Sequence, residues 1–267
     1  MKPRLLFAAC LASLAVQHAG ASCSRDLAAP VSSNGASVII EGDQVKGIYP
    51  DVLRSIQAKT GCNIVFTVVP RARQVAMFKA GKADVLVPAS RTQERDQIGT
   101  FIPMINHRAM LISVNNGRAP ITSAQDLLAR KDLRVAVVRG FDYGDRYIEL
   151  IKELQKQGRV FVEVDVSAVA RLLHAGSADL TIMGPTLMAG AIRREPRVLG
   201  LQEKLKAEAI PELPWNQSGA YISNAMKPED RAILRYALES AGKSNQIMEG
   251  YLRYFRAEVL TDSVRPR

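Results

Sequence analysis

The feature that most constrains this chain is a repeated switch between two hydrophobic periods. Short runs rich in β-branched residues alternate with stretches that carry apolar residues at helical spacing. Residues 38–40 read as a short strand. Residues 51–59 read as a helix with Val52, Leu53 and Ile56 on one face and Gly61 as its stop. Residues 64–69 lack polar alternation, which predicts a strand buried on both faces of a parallel sheet. Residues 73–80 are helical up to Gly81, and 85–87 form the next strand. The middle of the chain repeats the rhythm. A helix capped by Thr122 or Ser123 runs to Ala129, followed by a strand over 133–138, a helix over 144–157 and a strand over 160–164. A helix capped by Ser167 then reaches His174, before a strand over 180–183. This alternation predicts an α/β fold with parallel sheets.

One internal echo suggests how many units there are. Phe78-Lys79-Ala80-Gly81-Lys82-Ala83-Asp84-Val85 resembles Leu173-His174-Ala175-Gly176-Ser177-Ala178-Asp179-Leu180. Each copy is a helix end, a glycine suited to the left-handed conformation, an aspartate and a buried strand. Coincidence between two helix-to-strand connections is the alternative, but the surrounding rhythm matches too and favours two similar α/β lobes. Ligands of such sheets sit in crevices outside the carboxyl ends of strands. The last third departs from the pattern. Pro211, Pro214 and Trp215 mark an irregular crossing, 219–223 reads as a strand, and 228–241 and 247–255 read as helices. Tyr251, Leu252, Tyr254 and Phe255 on the last helix read as core.

The N-terminus indicates the compartment. Lys2 and Arg4, an apolar stretch over 5–16 and then Ala19-Gly20-Ala21 have the layout of a secretory leader cleaved after Ala21. The stretch is short of the roughly 20 apolar residues a spanning helix needs. A lipoprotein signal ending at Cys23 is the other export route. Of the three cysteines, Cys10 leaves with the leader, and Cys23 and Cys62 remain as an even pair in an oxidising compartment. Two unpaired buried thiols are the alternative to a bridge, and export favours the bridge. The net charge of +10 is scattered along the chain rather than gathered with aromatics. Together with export, this argues against a nucleic-acid partner. Arg193, Arg194 and Arg197 form the densest cluster and read as a solvated helix end.

Motifs for catalysis are missing. Beyond the leader the chain has His107 and His174, with no histidine pair at metal spacing, no Cys-x-x-Cys, no phosphate-cradling glycine loop and no Gly-x-Ser-x-Gly elbow. No metal and no cofactor is expected. The segment with binding chemistry is Ser90-Arg91-Thr92-Gln93-Glu94-Arg95, directly after a strand. Its hydroxyls and a guanidinium fork suit a carboxylate, which arginine can bond bidentately. A capped surface helix with ordinary charges is the competing interpretation.

Three pieces in order carry a resemblance: Gly47-Ile48-Tyr49-Pro50-Asp51-Val52-Leu53, then Ala80-Gly81-Lys82-Ala83-Asp84, then Ser90-x-Thr92-x-x-Arg95 with Phe101. Together they resemble the family 3 extracellular solute-binding proteins, the polar amino-acid receptors of ABC transporters. The resemblance implies a two-lobed, type II periplasmic binding protein-like fold, with two parallel-rich sheets flanked by helices and a two-strand hinge. Lobe 1 would comprise residues 22–114 and 217–267, with lobe 2 inserted as 115–216. It implies that Arg95 grips a ligand carboxylate with help from Ser90, and Thr92 offers a second hydroxyl. The turn holding Gly140, Phe141 and Asp142 would offer backbone amides. Tyr49 or Trp215 would cover the ligand.

Three positions depart from the family pattern. Gly184-Pro185 stand where an aspartate usually holds an α-ammonium, Asp142 replaces a small hydroxyl residue, and Arg71 and Arg73 replace a frequent aromatic. Arg71 is a further candidate ligand contact, and Asp142 becomes the candidate partner for any cationic end of the ligand. The expected function is a monomeric periplasmic protein that closes by hinge motion on a small molecule and passes it to a permease. An exported enzyme similar to the cyclohexadienyl dehydratases and a ligand-presenting partner of a membrane sensor are the alternatives on the same fold.

Overall fold

The computed structural model describes residues 22–267; the expected leader, residues 1–21 with Cys10, lies outside the described residues. The chain opens with β1 (Leu27–Val31), the hairpin β2 (Ile39–Glu41) and β3 (Gln44–Lys46), α1 (Ile48–Thr60), β4 (Ile64–Val68) and α2 (Arg71–Lys79). β5 (Val85–Ser90), the short α3 (Gln93–Asp96) and β6 (Gly99–His107) complete this segment. A second unit follows: β7 (Met110–Val114), α4 (Ala124–Ala129), β8 (Val135–Val138), α5 (Asp145–Lys156), β9 (Val160–Glu163), α6 (Val166–His174), β10 (Leu180–Met183), α7 (Pro185–Ile192) and β11 (Leu205–Glu208). The chain returns to the first unit through β12 (Asn216–Ser223), α8 (Pro228–Lys243), α9 (Gln246–Tyr254) and β13 (Val264–Arg265).

Each unit has its own sheet and core. In the first, β1 pairs parallel with β4, and β5, β12, β6 and β13 form an antiparallel sheet. In the second, β10, β8 and β9 are parallel, with β7 and β11 beyond β10. The sheets are therefore mixed rather than parallel-rich. β12 runs against its neighbours in the first sheet and β7 in the second, and each is the first strand after a crossing between the units. Strand pairing locates the crossings. β7 pairs within the second sheet, with Arg108 and Ala109 between it and β6. On the return, Asn216 pairs with His107 in the first sheet.

Burial explains the apolar runs. Val135 and Val137 pack on the side of Leu127, Leu150 and Leu154, while Ala136 and Val138 pack on the side of Val169 and Leu173. A strand with helices on both faces has no solvent side to be polar. The same expectation fails for β4. Among the described residues it pairs with β1, and Val65 and Val68, which alternation places on opposite faces, are 42% and 50% exposed, so neither face of this strand is fully covered. Helix α1 starts three residues before its expected first residue and includes Pro50. A proline is tolerated there because the first-turn N–H groups have no intrahelical acceptor. The cap of α6 is Asp165 rather than Ser167: its Oδ1 accepts the Ala168 N–H at 2.8 Å.

The echo is a structural repeat. Gly81 and Gly176 both have φ of +67° just past a helix end. Asp84 N–H donates to Ala28 O at 2.8 Å, and its Oδ2 accepts the Ala28 N–H at 2.7 Å. Asp179 does the same to Arg134, at 2.9 and 2.7 Å. Each carboxylate also takes an arginine, Arg25 in the first copy and Arg134 in the second. The aspartate thus clips the start of its strand to a neighbouring strand in both units, and its role is structural.

Cys23 and Cys62 form a disulfide across 39 residues, joining the start of the described chain to the turn before β4. Closing a loop of that length restricts the unfolded chain by about 4 kcal/mol. Replacing both cysteines by serine is expected to lower the melting temperature by roughly 10 °C. Calorimetry of the double variant beside the oxidised parent tests this, and an unchanged melting temperature would show that the bridge contributes nothing.

Candidate functional site

A cavity opens where the ends of the strands from both units meet. Ser90 ends β5, His107 ends β6, Phe141 and Asp142 lie in the turn after β8, and Gly184 directly follows β10; all line it. It encloses about 550 Å³ counting its open mouth. The first unit adds Asn34, Ser37, Arg71, Ser218 and Tyr251, and the second adds Tyr143, Thr186 and Leu187. This is the crevice at strand carboxyl ends that open α/β sheets offer to ligands.

Arg71, the first residue of α2, dominates the cavity's electrostatics. It is 6% exposed, and its Nη1 donates to Gln74 Oε1 at 2.8 Å while its Nε has no partner. Gln74 holds it in place. The Gln74 amide nitrogen donates to Pro30 O at 2.8 Å and Val87 O at 2.9 Å, so its oxygen must face Arg71 and the Ser32 hydroxyl. Burial, and then the nearby Arg95 charge, pushes the Arg71 guanidinium down to about 9, which leaves it protonated at neutral pH. This residue, an expected ligand contact as well as a departure from the family pattern, is the cation at the cavity wall.

Arg95 lies behind that wall. Its Nη1 donates to Ser90 O at 2.9 Å, and its Nη2 stands 4.0 Å from Asp142 Oδ2 on the other unit. It is 3% exposed and is not part of the lining. Asp142 also accepts the Gly144 N–H at 2.8 Å, a turn that starts α5. Its Oδ1 is therefore engaged, while Oδ2 has only the long ionic contact to Arg95.

Several other expected residues sit elsewhere. Thr92 Oγ1 accepts the Arg95 N–H at 3.3 Å, so this hydroxyl caps α3 instead of facing the cavity. Tyr49 is buried in the first core, because helical spacing places it on the inner face of α1 with Leu53 and Ile56. Trp215 stacks under the guanidiniums of Arg108 and Arg265, at 5.1 and 4.2 Å, away from the lining. Gly140 does not reach the cavity. Its backbone, at φ +83°, packs so closely on α2 that a Cβ there would lie 3.1 Å from Ala72 Cα. The Phe141 N–H donates to Val138 O, so the side chain lines the cavity while the amide closes the turn. Ser90, Arg71, Phe141 and Asp142 are the expected residues that the fold brings together here.

The missed residues come from far along the chain. Ser37 and Tyr251 share a hydroxyl bond of 3.1 Å across 214 residues, and both line the cavity. No local pattern marks either one; Tyr251 reads as core and is core on its other face. His107 was visible only as an isolated histidine. Its Nε2 lies 3.3 Å from Ser90 Oγ, and its ring is 5.9 Å from that of Tyr143 in the other unit. Burial pushes its imidazole down to about 4, so it is neutral at neutral pH.

The arginine cluster is also more than a solvated helix end. Arg194 donates to Gly35 O at 2.7 Å and Arg193 to Tyr254 O at 3.2 Å, both in the first unit. Between these bonds, a Cβ added to Gly190 of α7 would lie 2.7 Å from Gly35 Cα. The two backbones touch because neither residue has a side chain.

Two outcomes follow. Gly190→Ala is expected to hold the units apart and weaken ligand binding by tenfold or more, with little change in the unliganded melting temperature. Calorimetric titration beside a melting curve separates that from general damage. For His107 the folded value lies below the ordinary value of about 6.5, so the unfolded chain takes up the proton first as pH falls. Stability should therefore be lost between about pH 6.5 and about 4, and His107→Gln should flatten that slope in melting curves across the window.

Among solved structures, this chain is similar to a mutant of ArgBP from T. maritima, at 16% identity and a TM-score of 0.68, covering 86% of this chain and 94% of that one. An ancestral arginine-binding protein bound to arginine is similar at 17% identity and a TM-score of 0.68, covering 88% and 98%. A histidine kinase sensor domain with similarity to periplasmic binding proteins is similar at 17% identity and a TM-score of 0.69, covering 87% and 96%. These likenesses establish the two-lobed fold. No curated protein sequence is detectably similar to the chain. The family model for bacterial extracellular solute-binding proteins, family 3, matches residues 31–257, and the chain belongs to that family.

Proposed function

We propose that the protein is exported to the periplasm, captures a small polar, carboxylate-bearing molecule between its lobes and delivers it to an ABC-type permease. The observation that carries this reading is Arg71. A guanidinium this deeply buried in the wall of an interlobe cavity has a large desolvation cost that an anionic ligand would offset. The hydroxyls of Ser37, Ser90 and Ser218 line the same cavity, Ser37 bonded to Tyr251 and Ser90 beside His107. Arg95 supports the site from behind by holding the Ser90 carbonyl and facing Asp142. Binding then favours the closed arrangement, because the ligand touches both lobes only when they meet.

The test is mutation with direct titration, using the ligand that native mass spectrometry identifies in protein purified from the periplasm. Truncating one partner of a desolvated charge pair costs about 2–5 kcal/mol, so Arg71→Ala is expected to weaken binding roughly 30-fold or more. Arg95→Ala should weaken it as well by loosening Asp142, and Arg95→Lys should recover part of the loss. Wild-type affinity in Arg71→Ala would remove the carboxylate reading. Scattering should show a smaller radius of gyration when ligand is present.

A further inference from the structure

The charges around the cavity do not balance, and the imbalance selects a ligand class. The charged groups in the lining are Arg71 and Asp142. His107 also lines the cavity and is neutral at neutral pH. Arg95 adds a second guanidinium 4.0 Å from Asp142. One carboxylate thus stands against two buried cations, and it already accepts the Gly144 N–H. The other polar groups of the lining are hydroxyls, the Asn34 amide and backbone. An incoming ammonium group would find a single carboxylate, already facing Arg95, and would meet the field of Arg71. At low dielectric such repulsion is weakly screened. An incoming anion meets the opposite situation, because it supplies the missing negative charge.

We infer that the cavity selects small carboxylates that carry no ammonium group, such as dicarboxylates and oxo- or hydroxy-acids, over α-amino acids of the same skeleton. This rests on the carboxylate reading of the site and sharpens it. Gly184 offers a way to reverse the preference. It lines the cavity, its φ of −65° suits any residue, and a Cβ there would have no neighbour nearer than 3.8 Å. An aspartate at this position would restore charge balance and give an ammonium group a partner.

Matched pairs that differ only in the amino group provide the test. Ligand-stripped protein with its disulfide intact is titrated calorimetrically with succinate and L-aspartate, glutarate and L-glutamate, and L-arginine. The expected result is that each dicarboxylate binds at least tenfold more tightly than its amino acid, and that L-arginine does not bind. Gly184→Asp is expected to shift the succinate-to-aspartate ratio at least tenfold toward the amino acid. An amino acid that binds wild-type protein as tightly as its deaminated partner overturns the inference, while loss of that binding in Arg71→Ala would leave the carboxylate reading standing. Binding that survives Arg71→Ala unchanged overturns the carboxylate reading itself, and no binding by any member of the panel counts against both.

Discussion

The site depends on how the chain passes between its two sheets. β6 runs into β7 with only Arg108 and Ala109 between them, and β12 returns beside β6 with Asn216 opposite His107. The two sheets are thus held at adjoining ends by neighbouring extended segments. Strands that end near those crossings must deliver their last residues to one place. Ser90, His107, Ser218 and Gly184 come together for that reason, though they are spread across about half the sequence. Short crossings also leave the lobes free to rotate, since few backbone bonds have to change when they open.

Keeping charge out of water shapes the rest of the cleft. Arg71 can stay charged because Gln74 accepts from it, and Gln74 can do so because two backbone carbonyls fix its amide. Arg95 is supported by a carbonyl and by Asp142 across the cleft. His107 avoids the same cost by remaining neutral. The cleft therefore holds its positive charge at a cost in stability, which is the pattern expected where a ligand rather than the protein supplies the counter-charge.

The two lobes also touch where Gly35 meets α7. Gly35 and Gly190 let two backbones meet, and Arg193 and Arg194 reach from α7 to carbonyls of the first lobe. These bonds are made to carbonyl groups, so they add directional contact without requiring a buried counter-ion. Arg193 also lies over the Phe255 ring at 5.6 Å, which sets apolar surface beneath the same clasp.

The sequence by itself determined the α/β class, the existence of most elements, the repeated aspartate clip, the cysteine pair and the expectation of a carboxylate site at a strand end. Each of these depends on local chemistry: a period of burial, a glycine able to adopt positive φ, an arginine and hydroxyls after a strand. Local reading could not tell which of two nearby arginines meets the cavity. Arg95 had the better motif, yet α3 turns it inward to Ser90 O and Asp142, while α2 places Arg71 at the wall. It expected Tyr49, Thr92 and Trp215 at the ligand, and they stand outside the cavity lining, where a helix face, a cap and a pair of stacked guanidiniums hold them. It also missed Tyr251 with Ser37, and the contact of Gly35 with Gly190, because these pairs are made by residues far apart in the chain. The fold class follows from periodicity that any short window displays. The composition of the cleft was decided only when tertiary packing chose which polar groups would be satisfied within the protein and which would be left for a ligand.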